Sequence, residues 1–190
     1  MPLNIPNILT WLRILLIPLF VAIYYLPQHW MTPHDANLIA AGIFAIAAVT
    51  DWLDGYLART LNQTSAFGAF LDPVADKLMV AAALLVLVKL NRVDAMIALI
   101  IIGREITISA LREWMAQIGA SKSVAVSFIG KIKTAVQMIA IFLLLYHDSF
   151  FQQINAQMLG TWLIYIAAIL TLWSMGYYLK MALPQVRNRI

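Results

Sequence analysis

Asp51, Asp54 and Ala58 stand at i, i+3 and i+7, the spacing of one helical face. Gly68, Asp72 and Asp76 stand at i, i+4 and i+8, one face of a second helix separated from the first by a short polar loop. Both faces lie within apolar surroundings rich in Leu, Ile, Ala and Val. Four converging carboxylates cannot all stay ionised in a low dielectric unless positive charge neutralises them. Arg59 and Lys77 are too few for that. Hard divalent cations with oxygen ligands answer the need, and Mg²⁺ or Mn²⁺ commonly bridges carboxylates to phosphates. Two such ions can clamp the attacking and leaving oxygens of a phosphoryl transfer. Gly55, Ala58 and Gly68 would let the backbones approach closely, or let a ligand lie against them.

The elements that must position these groups are set by the solvent. Of 190 residues 63% are hydrophobic and 12% charged, with a mean hydropathy of +0.83. Soluble domains run near 45–50% apolar and about 25% charged, so the chain belongs in a bilayer. Six apolar stretches, at 8–26, 38–58, 69–90, 95–116, 124–146 and 158–182, predict an all-α integral membrane fold of six spanning helices. No repeat or linker divides residues 1–190, which read as a single membrane domain. The N-terminus lacks the basic region and cleavage site of a signal peptide and is kept as structure. There is no cysteine, which excludes disulfides and thiolate metal sites. Pro73 suits a third helix that starts only a few residues before it.

Placing both termini in the cytoplasm puts eleven of the thirteen Lys and Arg residues at inner ends, leaving Lys89 and Arg92 outside. The same threading gathers the aspartates, Arg104, Glu105, Arg112, Lys131 and Lys133 into the cytoplasmic half, around a cavity open to that side. His29, His34 and His147 fall in outer loops, away from this layer. Trp11, Trp30, Trp114, Tyr146, Tyr177 and Tyr178 lie near span ends, as aromatic belts do.

The stretch D51-x2-D54-G55-x2-A58-R59-x8-G68-x3-D72-x3-D76 resembles the full signature of the CDP-alcohol phosphotransferases. Eight specified positions at fixed spacing arise by chance on the order of once in 10⁹. The flanks "NIPNILTWLR", "REITISALREWMA" and "SVAVSFIGKIKT" resemble the bacterial branch of that family that uses glycerol 3-phosphate. The resemblance implies transfer from CDP-diacylglycerol to sn-glycerol 3-phosphate in a bacterial inner membrane, with CMP released and the site facing the cytoplasm. It implies that Asp51 and Asp72 bridge two ions (Mg²⁺ or Mn²⁺) and that Asp54 completes one ion site. Asp76 would complete the other and serve as general base. Gly55, Arg59 and Ser65 match positions that hold the CDP moiety, while Pro6, Asn7 and Thr10 match an element that closes over the nucleotide. A homodimer among membrane lipids is implied, with no nucleic-acid partner.

The acceptor is read from charge. Arg112, Lys131 and Lys133, with Arg104 behind them, suit an anionic alcohol and would repel choline or ethanolamine. Glu105 and Glu113 are available partners for Arg104 and Arg112. Two alternatives remain at this level. One is a sister transferase, a CDP-dependent cardiolipin synthase or an inositol-phosphate transferase. The other is a cation transporter, which would place acids at the bilayer midplane with access from both sides; the one-sided layer opposes it.

Overall fold

A computed structural model describes residues 5–27, 29–60, 66–119, 128–151 and 154–187. Six helices carry the chain: α1 (Ile5–Ile23), α2 (Pro33–Thr60), α3 (Ala66–Lys89), α4 (Ala95–Gln117), α5 (Phe128–Tyr146) and α6 (Ala156–Arg187). Each overlays one of the six apolar stretches, with ends moved by a few residues. The segment between α5 and α6, expected to be plain loop, also forms a short antiparallel hairpin of β1 (Ser149–Phe151) and β2 (Ile154–Asn155). By length and apolar composition, Pro33–Asp51 and Ala156–Leu183 are sufficient to cross a membrane.

Local chemistry sets several helix ends. Thr32 Oγ1 accepts from the Asp35 backbone N–H at 3.2 Å and donates to Asp35 Oδ2 at 2.7 Å, ahead of Pro33 at the first turn of α2. That is a reciprocal N-terminal cap with proline where its missing N–H costs nothing. Asp94 caps α4 by accepting from Met96 N at 2.8 Å. Asn155 caps α6 through Gln157 N and Met158 N. At the end of α5, Arg92 donates to the carbonyls of Leu144 and Leu145 at 3.0 and 3.1 Å and to Asn37 Oδ1 at 2.9 Å. One guanidinium thus satisfies terminal carbonyls of α5 and ties them to α2.

The helices close a ring in the order α1, α2, α5, α6, α4, α3 and back to α1, with α3 also reaching α2 and α5 across it. Among the described residues α4 and α5 do not pack directly on each other; each packs on α3 and α6. The apolar core draws on all six helices toward one end of the bundle, with Phe20, Phe44, Leu84, Leu87, Ile101 and Ile141 all buried in it. Small residues on α2, Ala40, Ala41 and Ala47, allow close helix approach there. α5 and α6 meet more tightly still: a Cβ built on Gly160 would stand 2.8 Å from Leu144 Cγ and 3.2 Å from Leu143 Cβ. Gly160→Ala is therefore expected to destabilise by about 1–3 kcal/mol through overpacking. Gly42→Ala, with nothing within 4 Å, is expected to be neutral or slightly stabilising. Melting temperatures of the two purified variants check this.

Three expectations change. Pro73 lies well inside α3, which already begins at Ala66; the apolar turn before it extends the helix, and the carbonyl of Pro73 accepts from Lys77 Nζ at 3.1 Å. His34 belongs to the first turn of α2, not a loop, and its Nδ1 lies 2.7 Å from Asp148 Oδ2. His147 is not freely solvated. Its backbone turns left-handed at φ 64, and burial, then Arg92, hold its imidazole below the ordinary range.

Candidate active site

The charged layer lies toward the other end of the bundle from the apolar core, on the same helices. α1 supplies two side chains one turn apart. Thr10 Oγ1 donates to Asp72 Oδ1 at 2.5 Å. Arg13 Nη1 donates to Asp51 Oδ1 at 2.6 Å, with Arg13 1% and Asp51 43% exposed. One face of α1 therefore grips the carboxylate faces of both α2 and α3. Thr10, expected to close over a nucleotide, is fully buried and donates to an expected ion ligand.

Asp76 stands one turn beyond Asp72 on α3. It lies within electrostatic reach of the carboxylates of Asp51 and Glu105 and of the cations Arg13 and Lys77. The side chains of Asn7, Asp54, Gly55, Ala58, Arg59 and Lys131, and the whole of Ser65, lie outside the described residues. Among the described residues no three His, Cys, Asp or Glu side chains are grouped as an ion site. The donor chemistry nevertheless fits a hard divalent ion: Asp51 of α2 lies within electrostatic reach of Asp76 of α3, and like charges so placed gain from a cation between them.

Behind Asp76 opens a cavity of about 180 Å³ whose polar wall is Asp76, Lys77, Arg104, Glu105, Ser109 and Arg112. Three helices each turn one face to it. On α4 the face is Glu105, Ile108, Ser109 and Arg112, at i, i+3, i+4 and i+7. On α5 it is Gly130 and Thr134, at i and i+4. Lys133 Nζ donates to Glu105 Oε1, bridging α5 to α4 across the gap. Glu105 Oε2 lies 3.5 Å from Arg104 Nη1. Both arginines are braced from behind by α6: Arg104 Nη2 donates to Ser174 Oγ at 2.9 Å and Arg112 Nη2 to the Tyr178 hydroxyl at 3.0 Å. The Tyr178 ring lies under both guanidinium groups, 5.7 Å from Arg104 and 5.1 Å from Arg112. Tyr178 is completely buried, so it belongs to the site rather than to an aromatic belt.

The structure thus brings Asp51, Asp72, Asp76, Thr10, Arg104, Arg112 and Lys133 into one layer. Glu105 pairs with Arg104, one of the partners the sequence offered, and also with Lys133, which it did not. Arg13, Ser174 and Tyr178 were missed as site residues. Arg13 had a signal, since an arginine one turn after Thr10 inside an apolar span needs a partner. Ser174 and Tyr178 had none; hydroxyls in a long apolar helix identify no neighbour.

Residues 3–173 match the family model described as CDP-alcohol phosphatidyltransferase. The chain is 52% identical over 184 residues to the CDP-diacylglycerol–glycerol-3-phosphate 3-phosphatidyltransferase of Pectobacterium atrosepticum. It is 50% identical over the same length to the proteins of that name from Salmonella typhimurium and Escherichia coli K12. Each alignment covers 96% of both chains. The family match runs from α1 into α6 and takes in the aspartates together with the basic wall of the cavity on α4 and α5. On these grounds the chain belongs to the CDP-alcohol phosphatidyltransferase family.

Proposed function

We propose that this chain transfers the phosphatidyl group of CDP-diacylglycerol to sn-glycerol 3-phosphate, forming phosphatidylglycerophosphate and CMP. The observation that carries this reading is the cavity in which Asp76 faces Arg104 and Arg112. A carboxylate able to take a proton stands opposite cations able to hold a phosphate. Among the described residues, and counting Lys133 behind Glu105, four cationic side chains surround two carboxylates at that cavity. An acceptor with close to two negative charges suits this balance, and a cationic alcohol does not.

In the reaction the primary hydroxyl oxygen of glycerol 3-phosphate bonds to the lipid-side phosphorus of the pyrophosphate. The bond from that phosphorus to the CMP oxygen breaks, and CMP leaves. Asp76 accepts the hydroxyl proton as the new bond forms. Arg104 and Arg112 hold the acceptor phosphate, with Ser174 and Tyr178 fixing their guanidinium planes. Thr10 and Arg13 orient Asp72 and Asp51. Asp51, Asp54, Asp72 and Asp76 would hold two divalent ions, Mg²⁺ or Mn²⁺, whose contribution is neutralisation of charge on the pyrophosphate oxygens. Asn7, Gly55, Arg59 and Ser65 are proposed to hold the CDP moiety, since they match positions that do so in the family, and Lys131 is proposed to help hold the acceptor.

Six spans with both termini in the cytoplasm, in the inner membrane of a bacterium, best accommodate this chemistry. The basic excess lies at the charged end of the bundle, where CMP and glycerol 3-phosphate would exchange with cytoplasm. A homodimer follows from the family likeness.

The test is CMP release by the purified chain from CDP-diacylglycerol, with glycerol 3-phosphate, inositol phosphate or phosphatidylglycerol as acceptor. Release that needs glycerol 3-phosphate is expected; release supported only by another acceptor would overturn the assignment. In the same assay Arg112→Gln is expected to raise the KM for glycerol 3-phosphate by about 10- to 150-fold, the worth of one charge-assisted hydrogen bond. The KM for CDP-diacylglycerol should change little. An unaltered acceptor KM would leave Arg112 as a helix anchor.

A further inference from the structure

Gln137 lies one turn beyond Lys133 on the cavity-facing side of α5 and is 2% exposed. Its carbonyl oxygen Oε1 is buried and accepts no hydrogen bond among the described residues. A buried amide oxygen without a donor is costly in a low-dielectric interior, and when such a group persists it commonly serves a ligand. Gln137 lines a recess of about 40 Å³ whose wall also includes Asp76, Glu105, Thr134 and Met138. Asp76, Glu105 and Thr134 line the larger cavity too, so the recess opens beside the proposed reaction site.

Most other polar groups of the recess already have partners, Lys77 Nζ donating to the Pro73 carbonyl at 3.1 Å. Thr134 Oγ1 donates to the Gly130 carbonyl at 3.0 Å. Glu105 receives Lys133 and faces Arg104. Asp76 is the proposed proton acceptor for the attacking hydroxyl. Gln137 Oε1 is the buried acceptor there that lacks a donor among the described residues, beside a space large enough for a hydroxyl-bearing carbon and closed in part by Val80 and Met138. The structure assigns Gln137 as the residue that recognises the secondary hydroxyl of a three-carbon acceptor, a role that rests on the proposed use of glycerol 3-phosphate. With the phosphate at the arginines and the primary hydroxyl at Asp76, the neighbouring hydroxyl reaches the recess and donates to Oε1. The residue selects a vicinal diol over an alcohol lacking the second oxygen.

The test compares glycerol 3-phosphate with 3-hydroxypropyl phosphate, which differs by that one hydroxyl. The wild-type protein is expected to favour glycerol 3-phosphate by about 10- to 100-fold in kcat/KM. In Gln137→Met and Gln137→Leu the preference should fall below about threefold. The loss should come from glycerol 3-phosphate, with the deoxy acceptor used as well as before. A wild-type preference below threefold overturns the assignment without any variant. So does an equal loss on both acceptors, which would make Gln137 a packing residue, or a preference that survives in both variants, which would make water the occupant of the recess. Absence of any acceptor-dependent CMP release by wild type instead defeats the proposed function, and this assignment with it.

Discussion

Asp72→Asn is expected to abolish turnover at every Mg²⁺ or Mn²⁺ concentration tested. The replacement removes one unit of negative charge while keeping an oxygen in nearly the same place. The new amide oxygen could still accept from the Thr10 hydroxyl that now donates to Asp72 Oδ1, so the α1–α3 contact should persist and the variant should fold. What is lost is a carboxylate proposed above to hold the ions. Asp51→Asn should be equally inactive, but it is the less clean variant. It deprives the buried Arg13 of its carboxylate, and breaking a buried ion pair from one side can cost about 3–5 kcal/mol. Mn²⁺ binding to the purified proteins, measured beside their melting temperatures, separates the two effects. Wild-type ion binding together with activity within tenfold of wild type would refute the two-ion assignment.

For Asp76→Asn the expected result is loss of the chemical step with CDP-diacylglycerol binding retained. General-base catalysis is worth about 10²- to 10⁴-fold, and loss of an ion ligand would add to the defect. Three carboxylates would remain to support the ions and the nucleotide. The geometry makes a further demand. Asp76 is within reach of Asp51 and Glu105, so removing its charge relieves repulsion inside the layer, and the fold should not suffer. Titration of the variant with CDP-diacylglycerol, set against single-turnover rates, distinguishes the outcomes. Normal turnover removes Asp76 from the mechanism, whereas loss of nucleotide binding would make it chiefly an ion ligand.

Much of this protein is determined by one-dimensional pattern. Six long apolar runs separated by polar breaks dictate six helices, because helical hydrogen bonding is local and apolar composition demands it in lipid. The spacing of Asp51, Asp72 and Asp76 places them on helical faces for the same local reason, and their rarity in apolar segments marks them for function. What depends on distant parts of the chain could not be read this way. The Pro73 expectation failed because cap preferences are weak beside the packing of a whole helix. The bond from Arg13 to Asp51 spans 38 positions, and that from Arg112 to Tyr178 spans 66; no periodicity relates residues so far apart. Which helix stands beside which decides that Glu105 receives Lys133 across the gap between α4 and α5, that α6 braces both arginines, and that Gln137 looks into a recess rather than into lipid. Those assignments depend on the closing of the ring, because a hydrogen bond or ion pair needs a partner within about 3–4 Å, and only tertiary packing brings side chains from separate helices that close.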